Sequence, residues 1–393
     1  MEHIDVPSLA GKTVKKNNYK KVLHIITGLN DGGAESVLTR LCLNSHSVNH
    51  VVVSMIDLGK YGSILQAHGI KVHTLFMGRK LSNIFKLFKL IHLIKLEQPD
   101  VVQTWMYHAD LFGGMAAKLA GVRRVCWGVR HSVLERDKTK TSTIVTAKLC
   151  SFLSKWIPEF IICCANKALE VHANIGYQRS KMLVIPNGYD LAKFSQDNAI
   201  RVRMRKHFEQ PEECFFIGLV GRYHPFKDHH NLFHALALVK NEIPTIRCLL
   251  VGKDMLENNT EIMKVINKLS LQDNVVLAGQ HSDISAVMNA LDLHVLSSSS
   301  EAFPNVLAEA MACGTPCVTT NVGDAQDIVG DNSVCCSSGD PRALANLILM
   351  MHNEWLYYPD SWVIRKNACI ERIEERFSIQ RMVNSYEDIW LKH

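Results

Sequence analysis

A carboxylate in an apolar helical segment needs a polar partner, and Glu309 is the lone charged residue of the run Val306–Ala312. Glu301 precedes it with seven residues between, ahead of Phe303, Pro304, Asn305 and Val306. The spacing predicts a helix with Pro304 in its first turn and Gly314 just past its end. The first amides of such a helix are unpaired and suit phosphate oxygens. Glu309, four residues after Asn305, shares that face and can accept both hydroxyls of a ribose. Glu301 stands nearer to whatever the phosphate carries. Arg222 and Lys227, five residues apart after an apolar run, can clamp a diphosphate from two sides. In the first half, Gly32 and Gly33 let a ligand approach the backbone where a helix begins. Arg130 and His131, with Ser132 behind them, could hold a sugar hydroxyl or an acceptor.

These residues need elements to position them, and the sequence supplies a regular series. Short β-branched runs occur at Val22–Ile26, Val51–Ile56, Val72–Leu75, Val101–Thr104, Val125–Gly128, Phe160–Cys164 and Leu183–Ile185, separated by helical patterns. After the turn Pro186-Asn187-Gly188 and a charged helical stretch from Arg201 to Phe208, a second series follows: Phe215–Val220, Arg247–Val251, Asn274–Ala278, Leu293–Leu296 and Pro316–Thr320. Alternation of this kind implies parallel sheets covered by helices on both faces, here two doubly wound α/β domains. Ligands of such sheets gather at the carboxyl ends of the strands, where the singled-out residues lie.

A chain of 393 residues is long enough for two cores, and 47% hydrophobic with 21% charged residues excludes a disordered or fibrous class. The twelve Cys lack paired zinc-ligand spacing and read as reduced structural thiols; no metal site is expected. Residues 1–20 are polar and basic, unlike a signal peptide, and no run approaches a membrane span, so a cytoplasmic address is expected. Residues 1–190 hold 25 Lys and Arg against 13 Asp and Glu, a net +12, and the remainder nets −6. The first half should face an anionic partner. The stretch Gly78–Leu96 is expected to form a helix with Leu81, Ile84, Phe85, Phe88, Ile91 and Leu96 apolar and lysines such as Lys86 and Lys89 interspersed. Its basic face could rest on anionic lipid, which would make the protein peripheral on the inner face of the membrane. No G-x-G-x-x-G supports a nicotinamide oxidoreductase, and no aromatic-interleaved basic platform supports nucleic-acid binding.

In combination, the Gly32-Gly33-Ala34-Glu35 loop, Pro186-Asn187-Gly188, Gly221-Arg222 with Lys227, and Glu301 to Glu309 with Gly314-Thr315-Pro316 behind them resemble the retaining glycosyltransferases of the GT-B fold. That large family includes bacterial polysaccharide, lipooligosaccharide and mannosyl transferases. The resemblance implies two Rossmann-like domains facing a central cleft: a tail at 1–20, an acceptor-side domain at 21–190, a nucleotide-sugar domain at 191–375, and a C-terminal helix at 376–393 returning to the first domain. It implies that Arg222 and Lys227 neutralise the diphosphate, Glu309 binds the ribose and Glu301 holds the transferred sugar. Amides around Phe303, Pro304, Asn305 and Val306 would meet sugar and phosphate, with Gly32 and Gly33 near the diphosphate. His131, beside Arg130, would flank the reacting sugar. A nucleotide diphosphate sugar, with UDP favoured, and a lipid-linked or saccharide acceptor are the implied partners; no cofactor, metal or nucleic acid is. Ala302 in place of Gly, Gly252-Lys253-Asp254-Met255 in place of a glycine-richer turn, and Asp327 in place of Glu depart from the commonest pattern. A GT-B epimerase or phosphorylase, or a catalytically silent nucleotide-sugar-binding protein, would share the fold and the clamp.

Overall fold

The structure is a computed structural model that describes residues 19–30, 32–77, 83–131 and 140–392. Asp31, Gly78 to Ser82, Ser132 and the tail up to residue 18 lie outside the described residues, as does the side chain of Ile84.

The first sheet contains β1 (Lys21–Ile26), β2 (Asn49–Ser54), β3 (Lys71–Thr74), β4 (Val101–Trp105), β5 (Arg124–Val129), β6 (Phe160–Cys163) and β7 (Met182–Val184). Its strand order is β3-β2-β1-β4-β5-β6-β7, with every neighbour parallel. Parallel neighbours need a crossover, and α1 (Gly33–Asn44), α2 (Gly59–Ala67), α3 (Asn83–Glu97), α4 (Gly114–Leu119), α5 (Thr141–Leu153) and α6 (Asn166–Asn174) supply it. Leu90, Ile94, Ala116, Ala117 and Cys150 pack α3, α4 and α5 on one face of the sheet. Val37, Leu38, Leu41 and Leu65 pack α1 and α2 on the other.

The second sheet contains β8 (Phe216–Val220), β9 (Arg247–Val251), β10 (Val275–Gly279), β11 (Leu293–Leu296), β12 (Cys317–Thr320) and β13 (Cys335–Cys336), in the order β10-β9-β8-β11-β12-β13 and again parallel. Its helices are α7 (Asn198–His207), α8 (His229–Glu242), α9 (Thr260–Lys268), α10 (Ile284–Ala290), α11 (Asn305–Ala312), α12 (Ala325–Val329), α13 (Pro341–Tyr357) and α14 (Pro359–Phe377). The last helix, α15 (Ile379–Leu391), buries Met382, Val383, Tyr386, Ile389 and Trp390 in the core of the first sheet. Ser45 donates to Glu387 at 2.7 Å, and Lys20 reaches the carbonyl of Leu391 at 3.2 Å.

The chain passes between the sheets twice, side by side. The amide of Tyr189 donates to Phe377 O and that of Ile379 to Tyr189 O, both at 2.8 Å. A Cβ on Gly188 would stand 2.8 Å from the Ile379 backbone, so the turn Pro186-Asn187-Gly188 needs glycine for this close approach. The twelve Cys are all free thiols.

Both strand orders reverse direction at one place, between β1 and β4 and between β8 and β11, and a crevice opens at the carboxyl ends there. The expected functional residues follow β1, β8 and β11 of these four strands, and β5.

Candidate functional site

In the second domain, β8 runs into Gly221 and Arg222, then a 3-10 turn at Pro225–Lys227, before α8. Across the reversal, β11 runs into the serines 297–300. Those serines staple the neighbouring turn: Ser297 Oγ donates to Lys227 O at 2.9 Å and the Ser299 amide to Phe226 O at 2.8 Å. Lys227 is thereby aimed at Glu301, with Nζ to Oε1 at 2.6 Å, and Ser298 Oγ donates to the same oxygen at 2.9 Å. Arg222 stands exposed at the mouth of the crevice. One cation of the expected clamp is therefore held by a carboxylate, which occupies the place an anionic oxygen could take.

Helix α11 begins at Asn305, one residue later than the sequence suggests: Pro304 precedes the first turn with φ −73° and ψ 89°, and no side chain caps the helix. Its first N–H groups lack intrahelical partners by construction. Phe303 turns its ring inward, 5.8 Å from that of Phe377, so only its backbone faces the crevice. Val306 and Glu309 are half-buried on the cleft side. Burial pushes the Glu309 carboxyl up, against the charges of Arg40, Lys193 and Lys227 nearby.

Asn305 joins the halves. Its Oδ1 accepts from Asn187 Nδ2 at 2.9 Å and from the Tyr189 hydroxyl at 2.6 Å. Its Nδ2 lies 3.7 Å from where a Cβ on Gly33 would be, so Gly32 and Gly33, at the start of α1, sit over the start of α11. Two turns along α1, the Arg40 guanidinium lies over the Tyr189 ring at 5.0 Å.

In the first domain, a cavity of about 350 Å³ opens at the β1/β4 reversal, lined by Thr27, Met106, Tyr107, His108, Arg130, His131, Lys140 and Thr143. His131 meets Tyr107 edge-on at 6.4 Å between ring centroids. Arg130 shares that wall but directs its guanidinium away from it: it donates to Asn187 Oδ1 at 2.7 Å and to the Tyr386 hydroxyl, and stacks on Trp105 at 4.6 Å. A chain of contacts thus runs from Arg130 through Asn187 to Asn305.

Sequence reasoning missed Arg40, Asn187, Tyr189, Lys193 and Asp110. Arg40 was reachable, because it lies seven residues from Gly33 on a helix already inferred to start there, hence on the same face. Asp110 carried no signal. It is fully buried in a π-helical turn after β4, accepting from Thr104 Oγ1 at 2.5 Å and from the Gly128 amide at 3.3 Å. Burial pushes its carboxyl up to about 8, against those two bonds and the charge of Arg130. The unfolded chain loses that proton near pH ~4. The folded state therefore binds the extra proton between about pH 4 and about pH 8, and stability falls as pH rises through that window. The melting temperature of the wild type should decline more steeply over this range than that of Asp110→Asn, by calorimetry; parallel curves would contradict the assignment.

Two family descriptions match the chain: Glycosyltransferase Family 4 over residues 31–193 and Glycosyl transferases group 1 over residues 201–369. The chain is 26% identical over 316 residues to the UDP-Gal:alpha-D-GlcNAc-diphosphoundecaprenol alpha-1,3-galactosyltransferase of Escherichia coli, covering 79% of this chain and 80% of that protein. It is 26% identical over 325 residues to the capsular polysaccharide biosynthesis glycosyltransferase CapM of Staphylococcus aureus, covering 79% and 81%. Among solved structures, Anabaena HepE in complex with UDP superposes with a TM-score of 0.82 at 22% identity, over 94% of this chain and 98% of that one.

Proposed function

Starting from a GT-B glycosyltransferase with both of its Rossmann-like domains present, we propose that the protein moves a hexose from a UDP-sugar to a lipid-linked or polysaccharide acceptor, with retention at the anomeric carbon and without a metal ion. The observation that carries this reading is the crevice where Lys227, paired to Glu301, stands beside the uncapped start of α11 and the half-buried Glu309. The donor and acceptor in the name of the E. coli relative support the choice of UDP-sugar and of a diphosphate-lipid acceptor.

In this reading, residues 191–375 hold the donor and residues 21–190 the acceptor, with the C-terminal segment tying the two. Glu309 accepts the ribose hydroxyls. The diphosphate lies across the amides of Phe303, Asn305 and Val306 and under Gly32 and Gly33. Arg222 and Lys227 supply positive charge to the departing phosphate, the place where charge develops and where fixed cations contribute most. Lys227 must then share itself between phosphate and Glu301, which leaves the Glu301 carboxylate to take hydroxyls of the sugar. The bond from anomeric carbon to phosphate oxygen breaks with its electron pair on the phosphate. The acceptor oxygen attacks the same face, and its proton passes to the departing phosphate oxygen. His131 positions the reacting sugar from the opposite wall.

The reading is tested by measuring UDP release from purified protein across a panel of nucleotide sugars with crude membranes as acceptor, and the anomeric configuration of the product by NMR. Release without any acceptor would favour an epimerase or hydrolase, and no release with any donor would favour a silent binder. Turnover is expected to persist in excess EDTA, because two cations already serve the phosphates. Loss on chelation, restored by magnesium or manganese, would overturn the metal-free mechanism.

A further inference from the structure

Helix α6 starts without a cap of its own. The residue before it is Ala165, whose side chain accepts nothing. The missing acceptor comes from the other domain. Asp324, on the loop from β12 to α12, is 6% exposed and takes the amide of Asn166 at 2.6 Å on one carboxylate oxygen and that of Lys167 at 2.9 Å on the other. Asp327 adds only a 3.5 Å contact from Asn166 Nδ2. The loop that carries Asp324 is pressed against the donor crevice: the Asp324 amide donates to Ala302 O at 3.1 Å, and a Cβ on Gly323, at φ +56°, would stand 2.6 Å from Glu301 O. Only glycine fits there.

About 9 Å further along α6, His172 is fully buried. Its Nδ1 lies 2.6 Å from Ala168 O, and a carbonyl only accepts, so Nδ1 carries the proton. Burial pushes the imidazole down to about 4, which keeps Nε2 unprotonated at neutral pH. Nε2 therefore accepts from the Tyr107 hydroxyl, at 2.6 Å, and the two rings stack at 29°. Tyr107 in turn lines the cavity of the first domain and meets His131 edge-on. A continuous run of contacts thus leads from the backbone of Glu301 and Ala302 through Asp324 and α6 to His131.

We propose that α6 ties the donor crevice to the acceptor cavity, with Asp324, His172 and Tyr107 as positioning residues that set His131 for transfer. The inference rests on the reading of His131 as the residue beside the reacting sugar, and it names what holds that residue in place. A helix start whose amides are capped from another domain is complete only while the two domains stand together. Separation of the domains strips the Asn166 and Lys167 amides, loosens the first turn of α6 and lets His172 shift under Tyr107. Seating the donor loop against α6 therefore also sets the acceptor side, so that the two half-sites are completed together. A cap that served stability alone would need no second domain, since a serine in place of Ala165 would supply it.

The test compares full-chain Asp324→Ala, Tyr107→Phe and the double variant with the wild type. By hydrogen exchange without ligand, residues 165–175 should exchange roughly fivefold faster in Asp324→Ala, and residues 105–110 should quicken with them. With membranes as acceptor, each single variant should lower the maximal rate of UDP release roughly tenfold, while UDP binding by calorimetry stays within about twofold of the wild type. Retained UDP binding also shows that the donor domain is folded. Sites this far apart normally combine additively, so the double variant would lose about a hundredfold if the two residues acted separately. It should instead lose no more than either single variant. Faster exchange confined to residues 165–175, or losses that multiply in the double variant, would overturn the proposal. Absence of UDP release by the wild type would sink the transferase reading, and the exchange experiment would still decide whether α6 carries the coupling.

Discussion

Glu309→Ala and Arg222→Ala will each lower UDP release in the presence of acceptor by about ten- to a hundredfold or more, with the fold intact. A hydrogen bond to a charged group contributes ~1.5 to 3 kcal/mol, and each ~1.4 kcal/mol is tenfold in rate. The two losses should differ in kind. Glu309 contacts the part of the donor that does not react, so its loss should weaken UDP binding, read by calorimetry, about as much as turnover. Arg222 acts where charge grows during bond breaking, so its loss should fall mainly on kcat. Stability gives an independent control. Burial already pushes the Glu309 carboxyl up, so its removal should leave the unfolding midpoint level or slightly raised. Arg222 is exposed, and its removal should leave the midpoint unchanged. Wild-type turnover in both variants would remove the crevice from consideration as the donor site.

The fold was legible because the central strands of the two sheets are buried β-branched or apolar runs, and the half-buried edge strands β3, β7 and β10 keep enough of that composition to be seen. All twelve inferred runs correspond to strands, with ends displaced by one or two residues where burial, not residue type, decides. β13 was not legible: two cysteines, Cys335 and Cys336, join the sheet edge only because β12 offers them a parallel partner. The crevice residues of the second domain were legible for a related reason. Gly221 to Lys227 and Glu301 to Glu309 are short continuous segments at strand ends, so spacing alone places their members together. What joins the halves is not continuous. Asn305 meets Asn187 and Tyr189 from more than a hundred residues away, and Arg40 approaches Tyr189 from α1. The turn at Asn187 read as a boundary, and only its geometry shows that it also bonds the start of α11. α3 forms within the stretch expected to be helical, but Phe85, Phe88 and Leu96 are left exposed, and periodicity alone could not say which of its apolar residues the sheet would cover.

The same limit hid the most consequential charge in the second domain. The stretch Arg201 to Phe208 reads as a charged helix, and charge alone did not show that Arg205 is 1% exposed. Its guanidinium donates to the carbonyls of Ala290, Pro211, Glu212 and Cys214 at 2.7 to 3.1 Å, and to Asp292 Oδ2. Asp292, itself buried, also accepts from the Phe216 amide at 2.8 Å and from Arg201 at 2.7 Å. One carboxylate therefore holds α7 to the starts of β8 and β11, the two strands that flank the crevice. Asp292→Ala leaves the buried guanidinium with neutral carbonyls and the solvent-facing Glu212 carboxylate at 4.0 Å as its only remaining partners, and strips the Phe216 amide of its acceptor. Breaking a buried pair on one side costs about 3 to 5 kcal/mol, so the unfolding midpoint of the second domain in urea should drop by that equivalent. The pair as a whole is worth much less than either half suggests, because its members lost hydration to form it. Replacing both at once, Arg205→Met with Asp292→Leu, should recover much of the loss. Below its melting transition the single variant should still bind UDP, since neither residue reaches the crevice. A midpoint shifted by less than about 1 kcal/mol in Asp292→Ala would mean that water replaces the carboxylate, and that the pair is not the fastening that holds α7 against the two strands.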